Sequence, residues 1–355
     1  MRSVLIKNGT IWDGTQFSNG DVLVEEGIVS KIGTGLDCPK AFVFDAAGMT
    51  VLPGLVDCHV HFQGPEPDLY GINAEMSCLP FGVTAAADAG GAHADLYLVS
   101  NYGVKNVTFV SVPIKDDKPD FSFTEKRMAL YGDNVIGVKV YFDTCKPDVR
   151  SSRPLAEICE YAHARNLKVM VHCSDSPAAM AEYLPLLAPG DILTHAFHGT
   201  PHNAGEDDFT ALKKAQARGV VIDTGCAGHI HTGLEVFKKA ISKGILPDTI
   251  STDITRASAY HRGGRYGLTM CMSMARSAGM QEADIFRAVT STAAKVLGKE
   301  GQWGVLKEGH CADIAVLEYT TEGFALTDRF GGSLKSDYGY RCKLTLAGGV
   351  IVWRD

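Results

Sequence analysis

The sequence predicts an α/β protein: a (β/α)8 TIM barrel accompanied by a small β-sandwich domain that the two chain ends form together. Three observations support this fold class. Between residues 51 and 280, short runs rich in Val, Ile and Thr recur eight times. Amphipathic segments with helical spacing separate these runs. Both ends of the chain instead carry short alternating strands with tight turns. Eight strand–helix units in series are typical of a closed barrel of parallel strands.

The eight predicted barrel strands cover, in order, residues 55–62, 82–90, 106–114, 135–142, 167–175, 191–199, 219–227 and 249–255. The clearest helices between them are "PLAEICEYAHARN" and "DDFTALKKAQARG". Each places apolar residues at helical spacing and ends on the Asn or Gly that commonly follows a helix. These segments supply the alternation of strand and helix that a barrel requires.

An open, doubly wound sheet is the alternative arrangement of such units. That fold binds nucleotides through a Gly-rich loop after its first strand, and this sequence has no such loop there. The pair Gly90 and Gly91 follows the second predicted strand and lacks the GxGxxG spacing. The units do not repeat in sequence, which disfavours a solenoid. The barrel is therefore the favoured prediction.

The chain ends differ from the middle in pattern. Segments such as "GDVLVEEGIVSKIG" and "YRCKLTLAGGVIVWRD" alternate apolar and polar positions, and Asn-Gly or Gly-Gly pairs mark hairpin turns. Neither end is long enough to form a stable sandwich alone. We therefore predict two domains. Residues 1–50 and 303–355 form the small β-sandwich, and residues 51–302 form the barrel.

Composition narrows the class of protein. The 355 residues are 45% hydrophobic and 21% charged, which is typical of a globular chain. The net charge of −7 comes from scattered acids and disfavours nucleic-acid or anionic-membrane partners. The sequence offers neither a signal peptide nor a membrane-spanning run. Ten cysteines without a CxxC pair predict reduced thiols and a cytoplasmic location. We expect a small-molecule substrate and a homo-oligomer.

Candidate metal ligands lie where the predicted strands end. His59 and His61 close the first strand, where residues two apart share one face. Barrel enzymes place their active-site residues at the carboxyl ends of the strands. The later strand ends add Lys139 on the fourth, His172 on the fifth, His195 on the sixth and Asp253 on the eighth. A single strand histidine is more often a hydrogen-bonded core residue, but six candidates in register at one barrel mouth predict a metal site.

Lys139 requires a separate argument because valines flank it in "GVKVYF". A buried ammonium is costly unless it is paired or deprotonated, and its charge would repel a divalent cation. The simpler interpretation is a lysine whose stem reaches water or pairs with an aspartate. If the amine has instead reacted with carbon dioxide, the resulting carbamate is an anionic ligand able to bridge two cations.

This ligand set resembles that of the amidohydrolase superfamily, in its binuclear, carboxylated-lysine subgroup. "PGLVDCHVHF" and "STDIT" are the most specific matching pieces, and "IKNGTIWDG" and "GHCADIAVLE" are similar to the family's closing domain. The resemblance therefore covers essentially the whole chain. It implies that His59, His61 and Asp253 hold one metal ion, that His172 and His195 hold the other, and that carboxylated Lys139 bridges them.

Within that superfamily, "GVTAAADAGG", "DILTHAF" and "GILPDTISTDI" resemble a dihydroorotase-like branch. Proteins of this branch are often labelled dihydroorotase or adenine deaminase, and some resemble small-molecule deacetylases. Dihydroorotases typically carry an arginine directly after HxH, where this chain has Phe62 and Gln63. Adenosine-type deaminases place an HAGE-like motif after strand five, where this chain reads "HCSDS". Both departures disfavour those two activities.

The resemblance implies hydrolysis by two divalent metal ions, for which zinc fits the His and carboxylate ligands, although manganese, iron and cobalt are alternatives. A metal-bridged hydroxide would attack an amide or ester carbonyl, and Asp253 would act as general base and then general acid. We expect an N-acetylated or O-acetylated, carboxylate-bearing substrate, or a cyclic amide. No GxSxG serine elbow appears at a strand end.

Substrate contacts are expected from the loops after the strands. The loop after the eighth strand carries Arg256, Tyr260, His261, Arg262 and Arg265. An arginine there would hold a substrate carboxylate in bidentate fashion, although these cations are equally compatible with a solvated loop. Further polar residues predicted near the mouth are His198, His202, His229 and His231, with Asp88 as a partner for a ligand imidazole.

Three other functions are compatible with the same barrel. The first is a dihydroorotase- or hydantoinase-type cyclic amide hydrolase, and the second is a deaminase, lyase or isomerase. The third is a non-catalytic relative that assembles as a scaffold. A scaffold is expected to lose metal ligands, and all six are present in this chain.

Overall fold

A computed structural model describes residues 3–63, 70–90, 103–144, 148–261, 266–337 and 339–355. The strands are β1 Val4–Trp12, β2 Phe17–Glu25, β3 Ile28–Gly33, β4 Phe42–Asp45, β5 Thr50–Pro53, β6 Leu55–Val60, β7 Val83–Asp88, β8 Lys105–Ser111, β9 Ile114–Lys115, β10 Lys118–Pro119, β11 Val135–Tyr141, β12 Lys168–His172, β13 Ile192–Thr194, β14 Val221–Ile222, β15 Ile314–Thr320, β16 Phe324–Thr327, β17 Ser333–Ser336, β18 Gly339–Ala347 and β19 Val350–Arg354.

The helices are α1 Ala74–Cys78, α2 Phe121–Tyr131, α3 Arg153–His163, α4 Met180–Tyr183, α5 Thr210–Ala217, α6 Leu234–Ser242, α7 Arg256–His261, α8 Leu268–Ser277, α9 Glu282–Ala288 and α10 Ser291–Val296. Helix α3 shows why these segments become helices. Its Pro154 stands in the first turn, where no backbone N–H is needed, and its buried residues are spaced so that they share one face.

Seven strands of the middle region form one parallel sheet in the order β6-β7-β8-β11-β12-β13-β14. Every residue of β6 and β7 is buried, as expected for parallel strands covered on both faces. The first seven predicted barrel strands each overlap one of these strands, although β8 begins one residue earlier than predicted. The mixed α/β class and the TIM-like barrel are therefore confirmed.

The eighth predicted strand, 249–255, is not a regular strand, and this part of the prediction is corrected. Asp253 has a φ of 48°, a left-handed conformation that interrupts an extended segment. The segment still closes the barrel through two parallel bridges, from Thr249 to Asp223 and from Ile254 to Val60. The backbone N–H of Asp253 also donates to the carbonyl of His59 at 2.7 Å. The eighth segment therefore has an irregular backbone, and it places the side chain of Asp253 at the barrel mouth.

The two chain ends form one sheet, in the order β19-β18-β15-β5-β1-β2-β3, with β4 beside β1. Most of its pairs are antiparallel, as the hairpin signals predicted, while β4 and β5 run parallel to β1. The division of the chain at 50/51 and 302/303 stays a prediction. β5, at Thr50–Pro53, crosses the first of these boundaries. It pairs with both β1 and β15, so it belongs to the sheet of the chain ends.

The hairpin of β16 and β17 leaves this sheet and reaches the barrel. Asp328, between its strands, accepts a hydrogen bond from the backbone N–H of Leu234 at 2.6 Å, at the start of α6. Arg329 pairs with Asp175 at 2.8 Å, beyond the end of β12. Chain-end residues therefore border the loops that follow the fifth and seventh barrel strands.

Nine cysteines of the described ranges are free thiols, and the reduced state of the protein stays a prediction. Among the described helices, none combines the length and apolar character needed to cross a bilayer.

Candidate metal centre

Two groups of possible metal ligands face each other at the carboxyl ends of the barrel strands. The first group is His59, His61 and Asp253, and the second is His172, His195 and His231. Within each group the ligand atoms lie within 4.8 Å of one another. The barrel thus brings together the five predicted His and Asp residues, together with a histidine that the sequence did not assign as a ligand.

The first group is held close to Asp253. Its Oδ1 lies 2.9 Å from His61 Nε2 and 3.2 Å from His59 Nε2. All three residues are buried, with no more than 4% of Asp253 exposed. His59 lies in β6 and His61 directly follows it, so the alternation of an extended chain directs both imidazoles to one face, and the closing segment supplies the carboxylate. Two imidazoles and a carboxylate are a donor set that zinc and similar divalent cations bind.

A partner outside the ligand group fixes the ring of His59. The hydroxyl of Thr194 donates to Asp223 Oδ2 at 2.7 Å and lies 2.8 Å from His59 Nδ1. Because that hydroxyl donates to the carboxylate, it accepts from the Nδ1–H, and His59 Nε2 keeps its lone pair for a metal. Such partners orient ligating histidines. The sequence did not reveal this Thr194–Asp223 pair: Thr194 lies within "DILTHAF", but nothing in the chain links it to an aspartate 29 positions further on.

Lys139 lies between the two groups. Its side chain is fully buried, and Nζ is 2.8 Å from His59 Nε2 and 3.7 Å from the sulfur of Met170. Met170 belongs to an apolar cluster with Phe109 and Ile192. The amine is therefore shielded from water by apolar side chains and by the imidazole of His59. This burial lowers its pKa from 10.5 to about 8.

The second group carries a free nitrogen. His195 Nδ1 donates to the carbonyl oxygen of Gly225 at 2.6 Å. Its Nε2 is buried and has no hydrogen-bond partner within the described parts of the chain. A buried unpaired nitrogen is uncommon in proteins, and a metal ion would satisfy it. The φ of His195 is 62°, an unfavourable conformation that clusters at functional sites.

His231 and Ser174 complete the second group. The rings of His172 and His195 lie 4.3 Å apart, and that of His231 lies 4.8 and 4.4 Å from them. Ser174 Oγ is 2.8 Å from both His172 Nε2 and His231 Nδ1. The Gly-rich segment "GCAGHIH" brings His231 there, and the sequence analysis placed this histidine near the mouth without giving it a role.

The protonation states suit a cation. Burial lowers the pKa of His59 to about 3, and it lowers the pKa values of His172 and His195 well below the usual value. Burial would raise the pKa of Asp253, but the imidazoles of His59 and His61 outweigh it and hold this pKa well below its ordinary range. Neutral imidazoles beside an ionised carboxylate are the forms that bind metals.

The predicted substrate residues are only partly described. Arg256 Nη2 lies 3.4 Å from Gln63 Oε1, directly after the His59–His61 pair. Tyr260 is 74% exposed. The side chain of His261 and the whole of Arg262 and Arg265 lie outside the described residues. The assignment of these residues to substrate binding stays a prediction.

The remaining polar candidates have other partners. Asp88 accepts hydrogen bonds from the backbone N–H groups of Phe62 and Gly90 at 3.1 and 3.0 Å. These bonds brace the ends of β6 and β7. His198 is fully buried and bonds Thr200 at 2.6 Å, and the backbone N–H of His202 donates to Glu206 at 2.8 Å. The side chain of His229 is outside the described set.

A parallel barrel with two facing ligand groups, a buried lysine between them and a carboxylate in contact with both defines a metal-dependent hydrolase. Bound divalent cations in such a site supply a water molecule that ionises near neutral pH and polarise a carbonyl group.

Comparison with known proteins agrees with this class. The model for the amidohydrolase family matches residues 137–337, more than half of the chain. The protein therefore belongs to the amidohydrolase family, and it is a hydrolase acting on carbon–nitrogen bonds.

Curated relatives extend the match over nearly the whole sequence. A protein named deacetylase from Brucella anthropi is 27% identical over 88% of this chain and 82% of its own length. Another deacetylase, from Enterococcus faecalis, is 26% identical over 98% of both chains. A solved structure described as a dihydroorotase covers 100% of this chain and 98% of its own, with a TM-score of 0.87 and 23% identity. An adenine deaminase structure covers 100% of both chains, with a TM-score of 0.84 and 23% identity. At this identity the two structures show a shared fold.

Proposed function

We propose that the protein is a binuclear metal-dependent amidohydrolase that removes an acyl group from a small, carboxylate-bearing substrate. The observation that carries the proposal is the pair of facing ligand groups with Lys139 buried between them. Zinc fits the His and carboxylate donors. The curated relatives named deacetylase favour an acetyl group, bound through nitrogen or oxygen.

We assign to Lys139 a carbamate formed with carbon dioxide. Only the neutral amine reacts with carbon dioxide, and a pKa of about 8 makes this form far more abundant near neutral pH than in an exposed lysine. The carbamate would place a negative charge next to His59, whose Nε2 lies 2.8 Å from the amine nitrogen of Lys139. It would neutralise part of the charge of two cations and thereby remove the conflict of a buried ammonium.

Asp253 is the residue best placed to move a proton. Its Oδ1 faces the first ligand group, and its Oδ2 lies 3.8 Å from His195 Nε2 and 4.0 Å from His231 Nε2. A carboxylate between the two groups would accept the proton of the attacking water and deliver it to the departing amine. Because the pKa of Asp253 is held well below its ordinary range, this residue starts the reaction as a base.

Arg256 is the proposed anchor for the substrate carboxylate. Its Nη2 lies 3.4 Å from Oε1 of Gln63, three residues past the end of β6 and two past His61. Arginine binds carboxylates through two parallel hydrogen bonds, which also fixes the orientation of the acyl group. Arg256→Lys keeps the charge and loses this geometry, so we expect it to raise KM more than it lowers kcat.

The test combines metal content with a substrate panel. Plasma mass spectrometry of wild type expressed with and without bicarbonate should show about two metal ions per chain, and a lower content in Lys139→Ala. N-acetyl amino acids, O-acetyl hydroxy acids, dihydroorotate, hydantoins and adenine form the panel. Turnover of acetylated acids alone supports the proposal. Turnover of the cyclic amides alone moves it to the hydantoinase type, and a metal-free wild type would refute it.

A further inference from the structure

The second ligand group contains His231, which follows the seventh barrel strand. This histidine lies three residues after Gly228, which has a φ of 62°. Its side chain is 21% exposed, and its Nε2 lies 4.0 Å from Asp253 Oδ2. The six-residue set of the superfamily pattern, with Lys139, His172 and His195 at the second metal, does not include this histidine.

The hydrogen bonds around this group leave one nitrogen of each ring available. His195 donates its Nδ1–H to a carbonyl oxygen, which leaves the lone pair on Nε2. Ser174 Oγ lies 2.8 Å from both His172 Nε2 and His231 Nδ1, and we assign a proton to each of these nitrogens because a hydroxyl oxygen can accept two hydrogen bonds. His172 Nδ1 and His231 Nε2 then keep their lone pairs. One outer partner for each imidazole, with the second nitrogen left open, is typical of metal-ligating histidines.

We propose that His231 is a metal ligand, which with His172 and His195 gives three imidazoles to the metal position beside Asp253. The inference rests on the proposed metal-dependent function and extends it to a seventh ligand. The three neutral imidazoles bring no charge to this position, so the carbamate on Lys139 would supply its anionic ligand, whereas Asp253 also offsets charge at the other position. Three histidine ligands also occur at catalytic zinc sites. Ser174 is the positioning residue of this group.

The proposal predicts how the two positions empty. His231→Ala should hold about one metal ion per chain where wild type holds about two, while the His59, His61 and Asp253 position stays loaded. Ser174→Ala should weaken the second metal by roughly 10- to 100-fold, because the two rings lose their shared partner.

The experiment titrates each metal-free protein with Co²⁺ and follows the visible absorption of the bound ion, with zinc content measured separately by mass spectrometry. His202→Ala is the matched control, since it removes a histidine of the same barrel mouth outside both ligand groups. Far-UV circular dichroism checks that each variant is folded, and His231→Gln repeats the test with a larger side chain. Loss of one cobalt site in both His231 variants, but not in the control, supports the assignment. Two sites of unchanged affinity would overturn it, and a raised KM would then make His231 a substrate contact. A wild type that binds no metal would instead refute the proposed function itself.

Discussion

Lys139→Met tests whether the buried amine destabilises the metal-free protein. The lysine is fully buried, and burial lowers the pKa of its amine from 10.5 to about 8. At 1.36 kcal/mol per pKa unit, the difference corresponds to roughly 3 kcal/mol of lost folding free energy at pH 7. Methionine has a similar length and no charge, so the variant should be the more stable protein when neither metal nor carbon dioxide is present.

The dependence on pH separates this effect from ordinary packing. Below pH 8 the amine is protonated in the folded and unfolded states, and the full cost is present. Between pH 8 and 10.5 the folded protein loses the proton first, so the cost declines as pH rises and is absent above 10.5. The stability difference between variant and wild type should therefore shrink by about 2 kcal/mol between pH 7 and about pH 9.5.

The measurement is equilibrium urea unfolding in chelator and carbonate-free buffer, followed by both fluorescence and circular dichroism. Lys213→Met, on the exposed face of α5, controls for the loss of one positive charge and should change stability by less than about 0.5 kcal/mol. A Lys139→Met difference that stays constant with pH would refute the reasoning. When metal and bicarbonate are added, we expect wild type to become more stable than Lys139→Met, because only wild type forms the carbamate.

Two further substitutions test the groups that orient the ligands. Thr194→Val removes the hydroxyl that His59 Nδ1 contacts at 2.8 Å, and we expect metal affinity to fall by roughly 10- to 100-fold in a competition assay with a chelating dye. The control is Thr249→Val. It removes a hydrogen bond to Oδ1 of Asp223, the aspartate whose Oδ2 accepts from Thr194, and it should leave the metal affinity nearly unchanged. Gly225→Ala places a Cβ 2.5 Å from His195 Nδ1 at a backbone φ of +49°, so both metal content and melting temperature should fall.

Each result has a clear opposite. Equal metal affinity in the two threonine variants would show that the hydroxyl does not orient His59. A Gly225→Ala protein with wild-type metal content would show that the neighbouring ring moves without loss of its ligand geometry.

The sequence carried the information that is local in the chain. Alternation along a strand directs His59 and His61 to one face, and the rule that barrel sites lie at strand ends selected His172, His195 and Asp253. Apolar spacing and the Asn that follows it predicted the helix now seen at Arg153–His163. These patterns depend on residues a few positions apart, so they can be recognised before any tertiary contact is known.

Tertiary structure decided what depends on closure of the barrel. The contact of Thr194 with His59 spans 135 positions, and that of Ser174 with His231 spans 57. The left-handed backbone at Asp253 arises where the closing segment must pair with β6 and with the residues after β14. The sequence alone determined a parallel barrel with metal ligands at its mouth. The three-dimensional fold determined which hydrogen-bonding groups contact the candidate ligands and that His231 lies among them. Such contacts are fixed by the packing of distant segments and leave no periodic signal in the chain.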